Sequence, residues 1–225
     1  MRRPTPPAPP APPKPAKPSP ASRHARRVAS ALAAAYPDWP GGLGFGDAWQ
    51  CLVATILSAQ CTDARVDRHT PALFAQWPGP AGMARAEPAE IEPYIRSLGL
   101  HRAKARYLAA SAREVMGRFG GQMPATLDEI ASLPGAGRKT ANCVLANALG
   151  QPAIMVDTHC IRVARRLGLH NLACPDKIED RLKGLLPRAG WTPFSRRIIA
   201  HGRLRCAARA PGCAGCPLAR LCGGP

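Results

Sequence analysis

The chain is 225 residues long, room for one large domain or two modest ones, and its 46% apolar content is enough for a real core. Aromatic residues make up only 5% while Ala and Leu recur throughout, which favours packed helices over sheets. A net charge of +17, from 31 Lys and Arg against 14 Asp and Glu, points to a polyanionic partner, and the absence of any apolar run of ~18 residues excludes a membrane span.

The first element is a tail. Residues 1–22 include ten prolines within the first twenty positions, a density that prevents helix and strand and predicts an extended, solvated arm. Seven basic residues (Arg2, Arg3, Lys14, Lys17, Arg23, Arg26, Arg27) precede Val28 without a single acid; subtracting them from +17 still leaves +10 on the remainder. The body is therefore basic in its own right, as suits nucleic acid or an anionic membrane surface. This start also lacks the apolar segment of a secretion signal, so the nine cysteines are expected in a reducing compartment, as metal ligands rather than disulfides.

Helical signals follow, and no alternating β pattern or internal repeat interrupts them. Val28–Ala35 reads as a short Ala-rich helix stopped by Pro37. Asp47 can cap a helix from Ala48 to about Ala59 that is apolar nearly all round, and so belongs in the middle of a domain. Asp63 is expected to cap the next helix, and Arg102–Arg118 reads as a longer amphipathic one. Thr126 and Glu129 have capping-box spacing for a short helix through Ser132. Further helices fit Arg138–Leu149, Thr158–Leu167, Pro175–Leu186 and Trp191–Leu204. The expected fold is all-α.

The densest chemistry lies at Leu133-Pro134-Gly135-Ala136-Gly137-Arg138-Lys139. A capped helix runs into Pro-Gly-x-Gly and a second helix starts at once. The glycines permit a tight turn with bare backbone amides, which the positive end of the next helix turns into a phosphate seat. Such a contact ignores base identity. A plain helix–turn–helix connection fits the same residues. Lys139 falls in the first turn of the second helix, where the helix dipole and Arg138 are expected to favour the neutral amine, a form able to attack a carbonyl-like carbon. An ordinary solvated or phosphate-binding lysine is the alternative. Asp157, in Val156-Asp157-Thr158-His159, can be an N-cap, a carboxylate that stabilises positive charge at a sugar C1′, or both.

Near the C-terminus Cys206, Cys213, Cys216 and Cys222 follow C-x6-C-x2-C-x5-C spacing, which by itself suits zinc or a [4Fe–4S] cluster. Arg203, Arg205, Arg209 and Arg220 surround this segment and are expected to meet phosphates. The other five cysteines share no metal-like spacing and read as small core residues.

Taken together, the hairpin Leu133–Lys139, the Asp157-Thr158-His159 element, the cysteine tail and Leu57-Ser58-Ala59-Gln60-Cys61-Thr62-Asp63 resemble the endonuclease III family of helix-hairpin-helix glycosylases, from about Trp39 to Cys222. The resemblance implies a bifunctional DNA glycosylase and abasic-site lyase of base excision repair, acting on oxidised or ring-saturated pyrimidines in double-stranded DNA. It implies Lys139 as nucleophile and Asp157 as the essential carboxylate. Gln60 would fill the hole left by an extruded base and Leu100 would wedge the opposite strand. Gly135, Gly137, Arg138, Thr158 and His159 would contact DNA, and the four C-terminal cysteines would hold a [4Fe–4S] cluster. Two lobes are expected, a six-helix domain over 41–151 and a cluster domain built from 23–40 plus 152–225, in a monomer acting on the cytoplasmic nucleoid. Within the same fold the mismatch-adenine glycosylase is a rival that lacks the lysine and carries a further C-terminal domain; Lys139 and an end three residues after Cys222 count against it. A non-catalytic DNA-binding module is a second rival, disfavoured by the retention of both Lys139 and Asp157. The chain departs from the family pattern at Ala136, where a larger aliphatic is common, and at Cys61, where a small inert residue is usual.

Overall fold

The computed structural model describes residues 18–39 and 47–224. The greater part of the expected tail and the expected domain start at Gly41 lie outside these residues. Among the described residues there are eleven α-helices, two short 3-10 turns and no strand. No helix is long and apolar enough to cross a membrane.

The first helix, α1 (Pro20–Ala35), begins eight residues earlier than the sequence suggested, and the extended tail therefore stops short of residue 22. The reason is local: Ser19 caps the helix by accepting from the Ser22 N–H, and Pro20 sits at N1, where its fixed φ suits a helix. After it, α2 (Ala48–Leu57) is capped by Asp47, which accepts from Gln50 N at 2.8 Å, and is buried from Cys51 to Leu57. The cap of α3 (Asp63–Gln76) is Thr62, not Asp63, which instead supplies the acidic first turn. Two short helices that the sequence reading did not anticipate follow, α4 (Pro80–Arg85) and α5 (Pro88–Ile95). Both start on proline at N1 and lie against α6 (His101–Phe119). The reciprocal capping box belongs to α5, between Glu87 and Glu90. In α7 (Leu127–Ala131) Thr126 does cap through its hydroxyl oxygen, but it gives its own O–H to the Glu129 carboxylate.

The remaining helices are α8 (Arg138–Asn147), α9 (Thr158–Arg166), α10 (Pro175–Leu185) and α11 (Trp191–Leu204). Two apolar cores result. One gathers around α2, with Leu73, Ile91, Leu108, Ile130 and Val144. The other joins Val28 and Leu32 of α1 to Val163, Ile178, Leu182 and Ile198, so the first helix packs with the last ones.

Residues 153–156 run extended between the cores. Side chains alternate along such a segment, so Ala153 and Met155 enter the first core while Ile154 and Val156 enter the second. No sheet satisfies its backbone. Two α11 hydroxyls do so instead: Thr192 Oγ1 accepts from Ala153 N at 3.0 Å and Ser195 Oγ from Met155 N at 2.8 Å.

Candidate active site

The hairpin between α7 and α8 is tight for two reasons. Gly135 has φ +77°, and a Cβ there would lie 2.7 Å from the Tyr107 Cβ, so a side chain is excluded both by the backbone and by α6. The Ala136 N–H is returned to Leu133 O at 2.9 Å, whereas the N–H groups of Gly135 and Gly137 have no partner among the described residues. Gly137 is also the N-cap of α8, so these amides and the positive helix end point the same chemistry at solvent.

Lys139, in the first turn of α8, faces a cleft of about 520 Å³ that it shares with Gln60, Asp157, Thr158, His159 and Arg203. Asp157 caps α9 by accepting from Cys160 N through Oδ1 at 2.8 Å, and its Oδ2 has no partner among the described residues. Capping and availability to the cleft thus coexist in one side chain. Burial, followed by the charge of Asp157, pushes the Cys160 thiol up, leaving it an inert core group.

Gln60 and Leu100 are the only non-glycine residues with positive φ among the described residues, at 57° and 61°. Gln60 lines the cleft; Leu100 lies outside its lining and is 57% exposed. Gly135, Gly137 and Arg138 also lie outside the lining, on the hairpin beside it.

Arg138 is held by carboxylates of α10. Its Nε donates to Glu179 Oε2 at 2.9 Å and its Nη2 to Glu179 Oε1 and Asp180 Oδ1, both at 3.2 Å, tying α8 to α10. The Glu179 hydrogen bonds hold its guanidinium above its ordinary pKa. Its charge is therefore shared with carboxylates of α10. Arg203 is also paired: Nη1 donates to Asp63 Oδ2 at 2.8 Å across the cleft. Arg205 props the cysteine loop through Ala214 O, while Arg209 and Arg220 remain exposed.

The four C-terminal cysteines line one cavity of about 160 Å³. Their donor set suits a thiolate-ligated group, because cationic and N–H donors converge on it. Arg166 Nη1 donates to Cys206 Sγ at 3.2 Å and to Ala207 O at 2.8 Å. Arg162 holds Cys206 O through Nε and Nη2, at 3.1 and 2.9 Å. Neither α9 arginine was singled out from the sequence, although their i, i+4 spacing after Asp157-Thr158-His159 was visible there. His201 was also missed; its Nδ1 lies 2.8 Å from the Tyr36 hydroxyl and its Nε2 3.7 Å from Cys216 Sγ. Burial, then Arg205, pushes that imidazole below its usual pKa.

Of the other cysteines, Cys51 and Cys160 are core residues as expected, but Cys174 is exposed at the start of α10 and Cys61 opens on the cleft. Cys143, one turn beyond Lys139, accepts from Asn147 Nδ2 at 3.1 Å. Its hydrogen bond with Cys51 lowers its pKa while raising that of Cys51.

Comparison with known proteins agrees with this geometry. The family model for the HhH-GPD superfamily base excision DNA repair protein matches residues 53–188. Endonuclease III of Synechocystis sp. is 45% identical over 199 residues, 88% of this chain and 91% of that protein. Endonuclease III of Bacillus subtilis is 41% identical over 179 residues, 77% and 80% respectively. A trapped endonuclease III–DNA covalent intermediate superposes with a TM-score of 0.84 at 36% identity, covering 90% of this chain and 95% of that one. A cleft lined by hairpin-helix lysine and capping aspartate, on a helical frame that superposes over 90% of the chain with an endonuclease III complex, and 45% identity to a relative make the chain a member of the endonuclease III family within the HhH-GPD base excision DNA repair superfamily.

Proposed function

We propose that the chain is a bifunctional DNA glycosylase and abasic-site lyase that removes oxidised or ring-saturated pyrimidines from double-stranded DNA, as a monomer on the cytoplasmic nucleoid. The observation that carries this reading is the cleft in which the Lys139 amine and the Asp157 carboxylate face the same space beside Gln60. The trapped covalent complex of a relative supports the same route here.

The damaged nucleotide leaves the stack and enters the cleft. Gln60 fills the space it vacates and Leu100 enters the opposite strand. The free amides of Gly135 and Gly137 seat a phosphate, with Thr158 and His159 on the other wall. Lys139 Nζ then attacks C1′ as the neutral amine. The glycosidic C–N bond breaks and the base departs with its electron pair and a proton, while Asp157 stabilises the positive charge that develops on the sugar. The resulting imine acidifies C2′. Loss of that proton expels the 3′ phosphate by β-elimination, and water hydrolyses the imine to free Lys139.

Cys206, Cys213, Cys216 and Cys222 are assigned to a [4Fe–4S] cluster. All four line one cavity, and Arg166 Nη1 donates to the Cys206 sulfur at 3.2 Å, which supports a thiolate-ligated centre there. When bound, the cluster would cross-link the loop that follows α11, from Cys206 to Cys222, and would take no part in bond breaking. We assign the two lobes to the two cores, one over 41–151 and the other from the N-terminal helix with 152–225.

Borohydride trapping tests the mechanism. Wild-type protein should cross-link to a lesion duplex, and Lys139→Ala should bind it without cross-linking. Base release by the wild type with no cross-link would establish a hydrolytic glycosylase instead.

A further inference from the structure

Lys104 is the one lysine of α6, and its side chain is almost wholly enclosed, with 2% of the residue exposed. Lysine holds such a position only when its donors are satisfied. All three are. Nζ donates to Leu57 O and Ala59 O, each at 2.8 Å, and to Cys61 Sγ at 3.4 Å. Leu57 ends α2, so the first two contacts use carbonyls left over at a helix C-terminus. The three partners bracket Gln60 on both sides.

At its other end Lys104 is one turn into α6, and its backbone N–H donates to Leu100 O at 2.9 Å. A single residue therefore joins the two segments whose tips are Gln60 and Leu100, the pair with left-handed backbone. That conformation is unfavourable for a side chain with a Cβ and persists only where the surroundings fix it. The Leu100 side is further fixed by Arg65, whose Nη2 donates to Ser97 O at 2.6 Å.

We propose that Lys104 is a positioning residue that sets the separation of Gln60 and Leu100, so that both enter the gap in the duplex together; this rests on the wedge roles assigned above. Enclosed as it is, Lys104 does not touch DNA. It acts through the carbonyls around Gln60. The Cys61 sulfur, the chain's departure beside the hole-filling glutamine, is the third of its fasteners.

The wedge is needed only when a nucleotide must be taken out of a duplex. The test therefore compares single-turnover β-elimination by the full-length holoprotein at an abasic site in a duplex and in the same single strand. For Lys104→Met the duplex rate should fall about tenfold or more, the scale of a displaced positioning group, with the single-strand rate within about twofold of wild type. The ratio of the two rates does not depend on the fraction of protein that folds. Lys104→Gln, which keeps one amide donor for Leu57 O or Ala59 O, should give an intermediate ratio. An unchanged ratio in both variants overturns the proposal, as does a parallel fall on both substrates. Gln60→Ala separates the premise from the proposal. A reduced ratio there with an unchanged one in Lys104→Met refutes the role of Lys104 alone, and an unchanged ratio in Gln60→Ala refutes the wedge reading and the proposal with it.

Discussion

Glu179→Ala should loosen the join between the hairpin helix α8 and α10. The Glu179 side chain is 3% exposed and accepts from Arg138, Asn142 and Lys183, while that of Arg138 is 32% exposed. Breaking a buried ion pair typically costs about 3–5 kcal/mol. Part of this is recovered, because Arg138 keeps Asp180 at 3.2 Å and Asp176 at 3.9 Å, both well-solvated pairs worth at most about 1 kcal/mol each. The net loss should be about 2–3 kcal/mol, or a fall in Tm of roughly 4–12 °C for a chain of this size. Lys139 is the next residue after Arg138, so the rate of borohydride trapping should fall with it. Paired thermal melts of Glu179→Ala, Arg138→Ala and the double variant give the coupling energy, expected at about 1 kcal/mol or more. A Glu179→Ala protein within ~0.5 kcal/mol of wild type, the range of ordinary surface substitutions, would refute the reasoning.

Asp157→Asn keeps a good N-cap and should melt near the wild-type temperature while losing base removal; retained activity would leave the carboxylate with capping alone. Ser195→Ala strands the Met155 N–H in the core and should cost about 1–3 kcal/mol in denaturant unfolding, against a negligible change if water replaces the hydroxyl. Burial holds His170 below its ordinary pKa, with its ring nitrogens facing Ile161 O and Leu172 N. Since its folded pKa is the lower one, its contribution is present above the unfolded value of about 6.5 and is lost as the pH falls through the folded one. Melts from pH 8 to 5 should therefore show an acid-side loss that His170→Ala lacks; identical profiles would contradict it. Cys213→Ser should reduce bound iron and the broad visible absorption of the purified protein together, whereas unchanged iron would remove Cys213 from the ligand set.

What could be read from the sequence was local. Pro-Gly-x-Gly before an Arg-Lys helix start, Asp157 at a helix N-terminus and the apolar run of α2 all depend on neighbours within a few positions. The short helices α4 and α5 were not read, because their proline starts look like loop punctuation and Pro93 lies inside the second. Lys104 sits in a helix rich in charged residues, and nothing local distinguishes it from a solvated lysine. Its burial follows from carbonyls 45 and 47 residues away. The ion pair of Arg138 is hidden for the same reason, because its partner Glu179 lies 41 residues on.

The packing of α1 against α10 and α11 has a consequence for synthesis. His24 Nε2 bonds to Leu167 O at 2.7 Å and Arg197 Nε donates to Tyr36 O at 3.1 Å, so the first helix leaves the ribosome long before its partners exist. At about 5–20 residues per second, Val28 and Leu32 wait on the order of 10–30 s for α11. During that interval the hairpin core, contiguous in the chain, can close by itself. A released fragment ending after Val156 should thus carry a protease-resistant hairpin domain preceded by a cleavable first helix, which becomes protected only when the chain through the cysteine loop is present.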